Sequence, residues 1–171
     1  MDIRTVIREV PDFPQPGILF RDITPVLADP AALVVALDGL SELISNITCD
    51  KLAAMESRGF LFGAPLALRL QRGLVLLRKA GKLPCPTERE TYALEYGEAV
   101  LEVHRDALKP GERVILIDDL LATGGTARAA GRLVRKLGAE VAAYLFLVEL
   151  KDLAGRQLLT DAPVLSLVAY D

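Results

Sequence analysis

Apolar residues in this chain follow two rhythms. Short, nearly unbroken apolar runs alternate with stretches in which apolar residues recur at three- and four-residue spacing. Runs such as Val114–Ile117 and Val141–Leu150 fit strands buried on both faces of a parallel sheet, where in–out alternation is lost. After the first of them, Ala127, Ala130, Leu133, Val134 and Leu137 share one helical face. Arg128, Arg132, Arg135 and Lys136 fall off that face, and Gly138 supplies the stop.

Carried along the chain, the pattern predicts a short helix near Asp2–Arg8, a proline-rich loop at Pro11–Gly17 and a helix across Ala31–Ile44. A strand follows at Lys51–Met55, then a helix after Gly59. That helix either starts late or holds Pro65 in its first turn, because proline has no N–H to donate. Strands are expected near Leu74–Arg78, Ala93–Tyr96 and Ala99–Val103, a turn at Pro110-Gly111, a short helix near Leu153–Leu159 and a last strand near Val164–Val168. Alternating strand and helix make this an α/β chain, with a mostly parallel sheet flanked by helices.

Composition narrows the picture. At 171 residues the chain is expected to be one domain with a full core. Hydrophobic residues make up 51%, yet no apolar run approaches the roughly 20 residues of a membrane helix. The opening Met-Asp-Ile-Arg-Thr-Val-Ile-Arg-Glu lacks the apolar core of a signal peptide. A net charge of −3 argues against nucleic acid as a partner. Cys49 and Cys85 form no Cys-x-x-Cys, and a single histidine, His104, argues against a zinc site. Both cysteines and His104 are read as ordinary packing or surface residues, in a reduced, cytoplasmic protein.

Four segments carry candidate chemistry. In Val114-Ile-Leu-Ile-Asp-Asp-Leu-Leu-Ala-Thr-Gly-Gly-Thr126, a buried strand leads to an acidic tip, Asp118 and Asp119, then to a glycine turn and a helix N-terminus. Gly124 and Gly125 let the backbone approach a ligand, and free amides at the helix start favour a phosphate. The acids before the glycines suit the hydroxyls of a sugar. Neither a Walker A ending nor a dinucleotide Gly-x-Gly-x-x-Gly is present. Glu56-Ser-Arg-Gly-Phe60 repeats the logic after the Lys51–Met55 strand, and Arg78, Lys79 and Lys82 cluster after the next. Glu88–Gly97 is a polar segment able to close over a substrate, or else an exposed hairpin. In Phe13–Pro25, prolines fix a loop and Phe20 offers a stacking face for a flat base; an arm packing through Phe13 and Phe20 is the plainer alternative.

The acid pair followed by Thr-Gly-Gly-Thr resembles the signature loop of the type I phosphoribosyltransferases. The resemblance implies that Ala122, Thr123, Gly124, Gly125 and Thr126 hold the 5′-phosphate of phosphoribosyl pyrophosphate, and that Asp118 and Asp119 face the ribose hydroxyls. By the same likeness Glu56, Ser57 and Arg58 form the pyrophosphate loop, with a cis peptide near Glu56–Ser57. Lys79 and Lys82 assist there, with Arg78 near them or reaching across a dimer. Tyr-x-Leu-Glu-Tyr-Gly at Tyr92–Gly97 implies that Glu95 handles the proton of the incoming base and that Tyr96 covers the pyrophosphate. Phe13–Pro25 is similar to the adenine-using branch of the family. It implies adenine between Phe20 and Leu120, with backbone contacts from Leu19 and Arg21.

The likeness runs from Asp2 to Tyr170 in unbroken motif order. It implies one phosphoribosyltransferase domain over residues 1–171, with residues 1–30 as a base-binding hood and 79–98 as a flexible catalytic loop. The implied reaction is adenine plus phosphoribosyl pyrophosphate giving AMP and pyrophosphate, a purine-salvage step. Mg²⁺ would be held mainly by substrate oxygens and water rather than by protein ligands, in a homodimer with no membrane partner. Two alternatives stay open: a 6-oxopurine specificity, separable with a panel of bases, and a non-enzymatic sensor of the same ligands.

Overall fold

The computed structural model describes residues 1–93 and 97–171. The chain opens with a 3₁₀ turn at Ile3–Thr5, capped by the Asp2 carboxylate on the Arg4 amide, where a longer helix was expected. Strands β1 (Arg8–Pro11) and β2 (Leu19–Asp22) then pair antiparallel. Runs this short show no readable period, so the sequence pattern gave only the loop between them. Helix α1 (Thr24–Ala28) leads into α2 (Pro30–Leu43), which starts where expected: Asp29 accepts the Ala31 amide and Pro30 occupies the first helical position.

The body of the molecule is one sheet. Its strands are β3 (Lys51–Met55), β4 (Gly73–Lys79), β5 (Thr87–Ala93), β6 (Glu98–His104), β7 (Arg113–Leu121), β8 (Glu140–Leu150) and β9 (Val164–Tyr170). Their order is β5-β6-β4-β3-β7-β8-β9. The five strands from β4 to β9 run parallel, and β6 and β5 extend the sheet antiparallel. Helix α3 (Gly59–Leu70) joins β3 to β4, and α4 (Gly125–Lys136) joins β7 to β8.

Successive residues of each central strand serve opposite cores. Leu52, Ala54, Ile115 and Ile117 pack with α2 and α3, through residues such as Leu40, Phe62 and Leu66. Ala53, Met55, Val114 and Leu116 pack with α4, through Ala130, Leu133 and Val134. Both faces are covered, which is why these strands read as unbroken apolar runs.

Three expectations are corrected. Pro65 sits in the interior of α3, not in its first turn. The buried stripe Phe62, Gly63, Leu66 and Ala67 holds the helix through the missing hydrogen bond, so tertiary packing overrides the local penalty of about 3 kcal/mol. Of the expected Ala93–Tyr96 strand, all but Ala93 lies outside the described residues; the strand of the catalytic loop starts earlier than expected, running Thr87–Ala93. It is an edge strand whose charged side chains are matched by neighbours, Glu88 with Arg105 and Glu90 with Arg132 and Lys136, so it carries little apolar signal. Finally, β7 does not stop at Ile117. It continues through both acids to Leu121, paired with β8 at Asp118↔Phe146 and Leu121↔Glu149.

The topology fixes where a ligand can sit. From β3 the chain moves to β4 on one side and later to β7 on the other. The carboxyl ends of β3 and β7 therefore lie side by side at a switch point, where open α/β sheets hold ligands.

Candidate active site

Each of those two strand ends turns into a helix N-terminus. After β7 the loop Ala122–Gly124 leads into α4. Gly124 holds φ +84°, a left-handed conformation that glycine adopts without steric cost, and no side chain caps the helix. The first-turn amides therefore stay free for an anion, with the positive end of the helix dipole behind them. Around them lies a cavity of about 80 Å³, walled by Asp118, Leu120 to Ala127 and Phe146. The five residues expected to hold a phosphate thus share one concave surface.

After β3, the Glu56–Ser57 peptide is cis, as the family resemblance implied, and Arg58 precedes α3. A larger cleft, about 460 Å³, gathers Glu56, Ser57, Arg58, Lys79, Asp118, Asp119, Leu120 and Thr126. It meets the phosphate cavity at Asp118, Leu120 and Thr126. A cationic pole and an amide cradle therefore flank two carboxylates, a layout able to hold a ligand with phosphates at both ends and hydroxyls between.

The charges are tightly arranged. Asp119 is 5% exposed, and its Oδ2 accepts a hydrogen bond from Arg58 Nε at 2.6 Å, while more than half of the Arg58 side chain (54%) faces solvent. Burial, and then the adjacent Asp119 charge, push the Asp118 carboxyl well above its ordinary range; Arg58 relieves this only in part. Glu56 accepts from Arg78 Nε at 3.1 Å and from the Lys79 amide at 2.9 Å. Burial works against its charge, but the Lys79 amide and the Arg78 guanidinium hold its carboxyl below the ordinary value. Glu56 thus anchors the end of β4 and sets where Lys79 stands.

Residues 26–165 match the phosphoribosyl transferase domain family. The chain belongs to that family. It is 54% identical to the adenine phosphoribosyltransferase of Thermosynechococcus vestitus, over 99% of this chain and 100% of that one. Among solved structures, the adenine phosphoribosyltransferase of Thermoanaerobacter pseudethanolicus superposes with a TM-score of 0.95 at 49% identity, covering 98% of each chain. The Saccharomyces cerevisiae adenine phosphoribosyltransferase, solved with an imino-altritol bisphosphate and adenine, gives 0.91 at 41%, covering 96% of each. The sheet order and the two adjoining loops described above are this phosphoribosyl transferase's fold.

The remaining candidates of this phosphoribosyl transferase fall in several places. Glu95 and Tyr96 lie outside the described residues, while Tyr92 of β5 lines the cleft together with Ala99 and Leu101 of β6. Lys82 is exposed beyond the cleft, its carbonyl accepting from Arg78 Nη1 at 3.3 Å. Of the base-binding set, Leu120 lines the cleft. Phe20 on β2 packs edge-to-face with Phe13 at 5.1 Å, and Arg21 stacks on the Tyr170 ring at 3.8 Å. Leu19 and Arg21 border a separate cavity of about 400 Å³, with Leu150 and Tyr170. The two sides of the expected adenine sandwich therefore come from different elements, Phe20 from β2 and Leu120 from the end of β7. The exposed Cys85 lies beside His104, its amide donating to His104 Nε2 at 3.4 Å.

Sequence reasoning passed over Ala99 and Leu101, whose small and apolar side chains carry no chemical signal. It also passed over Glu149, which is 3% exposed. A lone acid near the end of the Val141–Leu150 run was the available clue, since a buried charge needs a partner.

Proposed function

We propose that the joined cleft at the β3 and β7 ends is where this chain converts adenine and phosphoribosyl pyrophosphate into AMP and pyrophosphate. The observation that carries the reading is the layout itself: Arg58 and Lys79 at one end, the Gly124–Thr126 amides at the other, and Asp118 and Asp119 between them. In this reading Ala122 to Thr126 hold the 5′-phosphate and the two aspartates take the ribose hydroxyls. Ser57, Arg58 and Lys79 stabilise the departing pyrophosphate, with Glu56 aligning Lys79 and Lys82 and Tyr96 closing from outside. Opposite charges fixed in place before reaction stabilise an oxocarbenium-like sugar as its leaving group departs.

Adenine belongs between Phe20 and Leu120, its edge read by the Leu19 and Arg21 backbone. The relatives named above support this assignment. A backbone acceptor for the exocyclic amine selects adenine over a 6-oxopurine, whose carbonyl would leave that acceptor unpaired. Glu95 takes the proton that adenine releases, a role typically giving 10²–10⁴-fold. Closure of the catalytic loop excludes the water that would otherwise hydrolyse the activated sugar.

Magnesium fits this donor set in one way. Among the described residues no group of three metal-ligating side chains is present, and Asp119 is already paired with Arg58. Such an ion would be held mainly by substrate oxygens and water, with Asp118 and Asp119 near enough to accept from its waters. When bound it neutralises charge on the leaving pyrophosphate. A homodimer belongs to the same reading. The exposed Leu61 and Leu68 of α3 and Leu76 of β4 offer apolar surface for a second copy. So does a cytoplasmic setting, which suits the free thiols Cys49 and Cys85. No helix among the described residues is long and apolar enough to cross a membrane.

The deciding assay is AMP formation from adenine and phosphoribosyl pyrophosphate, with and without Mg²⁺, beside hypoxanthine and guanine. Metal-dependent turnover of adenine alone is expected. Turnover of a 6-oxopurine would keep the fold and overturn the base assignment. Tight binding of the sugar diphosphate without turnover would favour a sensor.

A further inference from the structure

Behind the Ala122–Gly124 loop stands an ion pair with a buried carboxylate, outside the lining of the cleft. Glu149 lies on β8 directly opposite Leu121, the residue before the loop, and opposite Ala169 of β9. Its side chain is 4% exposed and fully engaged. Arg156 Nε donates to its Oε1 at 2.8 Å, Arg156 Nη2 donates to its Oε2, and Ser166 Oγ donates to the same oxygen at 2.6 Å. The third arm of the guanidinium, Nη1, donates to the Val164 carbonyl at 2.6 Å. Arg156 therefore differs from Arg58. Each of its three nitrogens donates to a protein acceptor, although the side chain is 48% exposed.

Arg156 belongs to the 3₁₀ turn Gly155–Leu158, and the residue before it touches the loop. A Cβ on Gly155 would collide with the Ala122 carbonyl oxygen and lie 2.8 Å from the Gly124 nitrogen. A Cβ on Gly124 would lie 2.5 Å from the Gly155 carbonyl oxygen. The two glycines thus form a bare backbone-to-backbone contact, and the loop cannot move toward β8 and β9 without moving Gly155. Arg156, clamped by Glu149 and the Val164 carbonyl, fixes how closely Gly155 presses.

We propose that Arg156, clamped on Glu149, is a positioning residue for sugar-phosphate binding: through Gly155 it sets the Ala122–Gly124 loop in the shape that aims the α4 amides at the 5′-phosphate. This rests on the reading of that loop as the 5′-phosphate site. The pair acts on phosphate affinity and leaves the base pocket and the pyrophosphate pole alone.

The test compares Arg156→Met, Arg156→Lys and Gly155→Ala with the native enzyme. Calorimetry measures ribose 5-phosphate binding, and steady-state kinetics resolve KM for each substrate. Arg156→Met and Gly155→Ala are expected to weaken ribose 5-phosphate binding and raise KM for phosphoribosyl pyrophosphate on the order of tenfold or more, as small misplacements of binding groups do. KM for adenine and kcat at saturating sugar diphosphate should stay within about twofold. Arg156→Lys should recover part of the affinity, because an ammonium reaches Glu149 but cannot also hold Val164.

Native ribose 5-phosphate affinity in these variants overturns the proposal, as does an equal loss on the adenine side. The same holds if Leu40→Ala, a core substitution remote from the loop, lowers the affinity equally for the same loss of Tm. If Arg156→Met does not fold, Arg156→Lys and Gly155→Ala are judged by the same criteria. Gly125→Val, which puts a branched side chain at the helix start where the amides would meet the phosphate, separates the two layers. If it weakens ribose 5-phosphate binding while the Arg156 and Gly155 variants do not, only the positioning role fails. If it leaves binding intact, the loop is not the phosphate site and both fall.

Discussion

Arg58 and Asp119 are joined at 2.6 Å across the switch point of the sheet, so one ion pair ties the loop after β3 to the acids of β7. In the proposed function these residues serve opposite ends of the same substrate. Asp119→Asn keeps the shape and removes the charge that orients Arg58. The variant should fold with nearly native Tm, since it also relieves repulsion of Asp118. KM for phosphoribosyl pyrophosphate should rise on the order of tenfold to a hundredfold. Unchanged kinetics would remove the acid pair from the sugar site.

Asp118 makes the opposite prediction for stability. Its folded pKa is raised, chiefly by burial, so the folded protein binds this proton more tightly than the unfolded chain does. Above the folded value the ionised group destabilises the fold in full. The penalty shrinks as pH falls toward the ordinary carboxylate value of about 3.9 and is gone below it. Asp118→Asn should therefore raise stability at neutral pH by about 0.5–2 kcal/mol, the usual reward for removing functional strain, while lowering activity. Thermal melts across pH check this. A variant less stable than native at pH 7, or a gain that persists under acid, would show that Asp118 is at ease in its place.

How much of this was legible beforehand follows from the physics of each part. Lys51–Met55 and Val141–Leu150 were readable because burial on both faces leaves unbroken apolar runs, and α4 because one face is apolar and the other basic. The phosphate loop was readable because its chemistry is local in sequence: strand, acids, glycines, helix start. The β1–β2 hairpin was not, because four-residue strands show no period, nor was the start of β5, whose charges are matched at long range by Arg132 and Lys136. The Arg58–Asp119 contact spans 61 positions, and nothing in either motif announces it. Gly155 looks like any turn glycine until the Ala122 carbonyl is seen against it.

Gly131 separates helix propensity from packing. It lies in the middle of α4, where alanine should be favoured by about 1 kcal/mol. A Cβ there would run into the hydroxyl of the fully buried Tyr144. That hydroxyl donates to Asp161 Oδ1 at 3.1 Å, and burial pushes its pKa up to about 12. Gly131→Ala should therefore destabilise the protein by about 1–3 kcal/mol, as overpacking does. Denaturant melts decide the sign. An increase in stability would mean that Tyr144 can move aside at no cost.

The strand of the catalytic loop is fastened to the helix that follows the phosphate loop. Glu90 of β5 pairs with Lys136 at 2.6 Å and Arg132 at 3.0 Å, both on α4. The Lys136 hydrogen bond first, then Arg132, hold its carboxyl below the ordinary value in spite of burial. A depressed folded pKa stabilises the fold above the unfolded value of about 4.3, and the contribution disappears as pH falls through the folded value. Glu90→Gln should thus cost about 1 kcal/mol at pH 7, modest because both cations are nearly half exposed. Native protein and variant should converge in stability under acid. Hydrogen exchange at the Thr87–Ala93 amides should quicken in the variant, since β5 is an edge strand held on one side by β6 and below by these two cations. Unaltered exchange there, with the same loss of Tm, would place the effect of Glu90 in α4 alone and leave β5 anchored by β6.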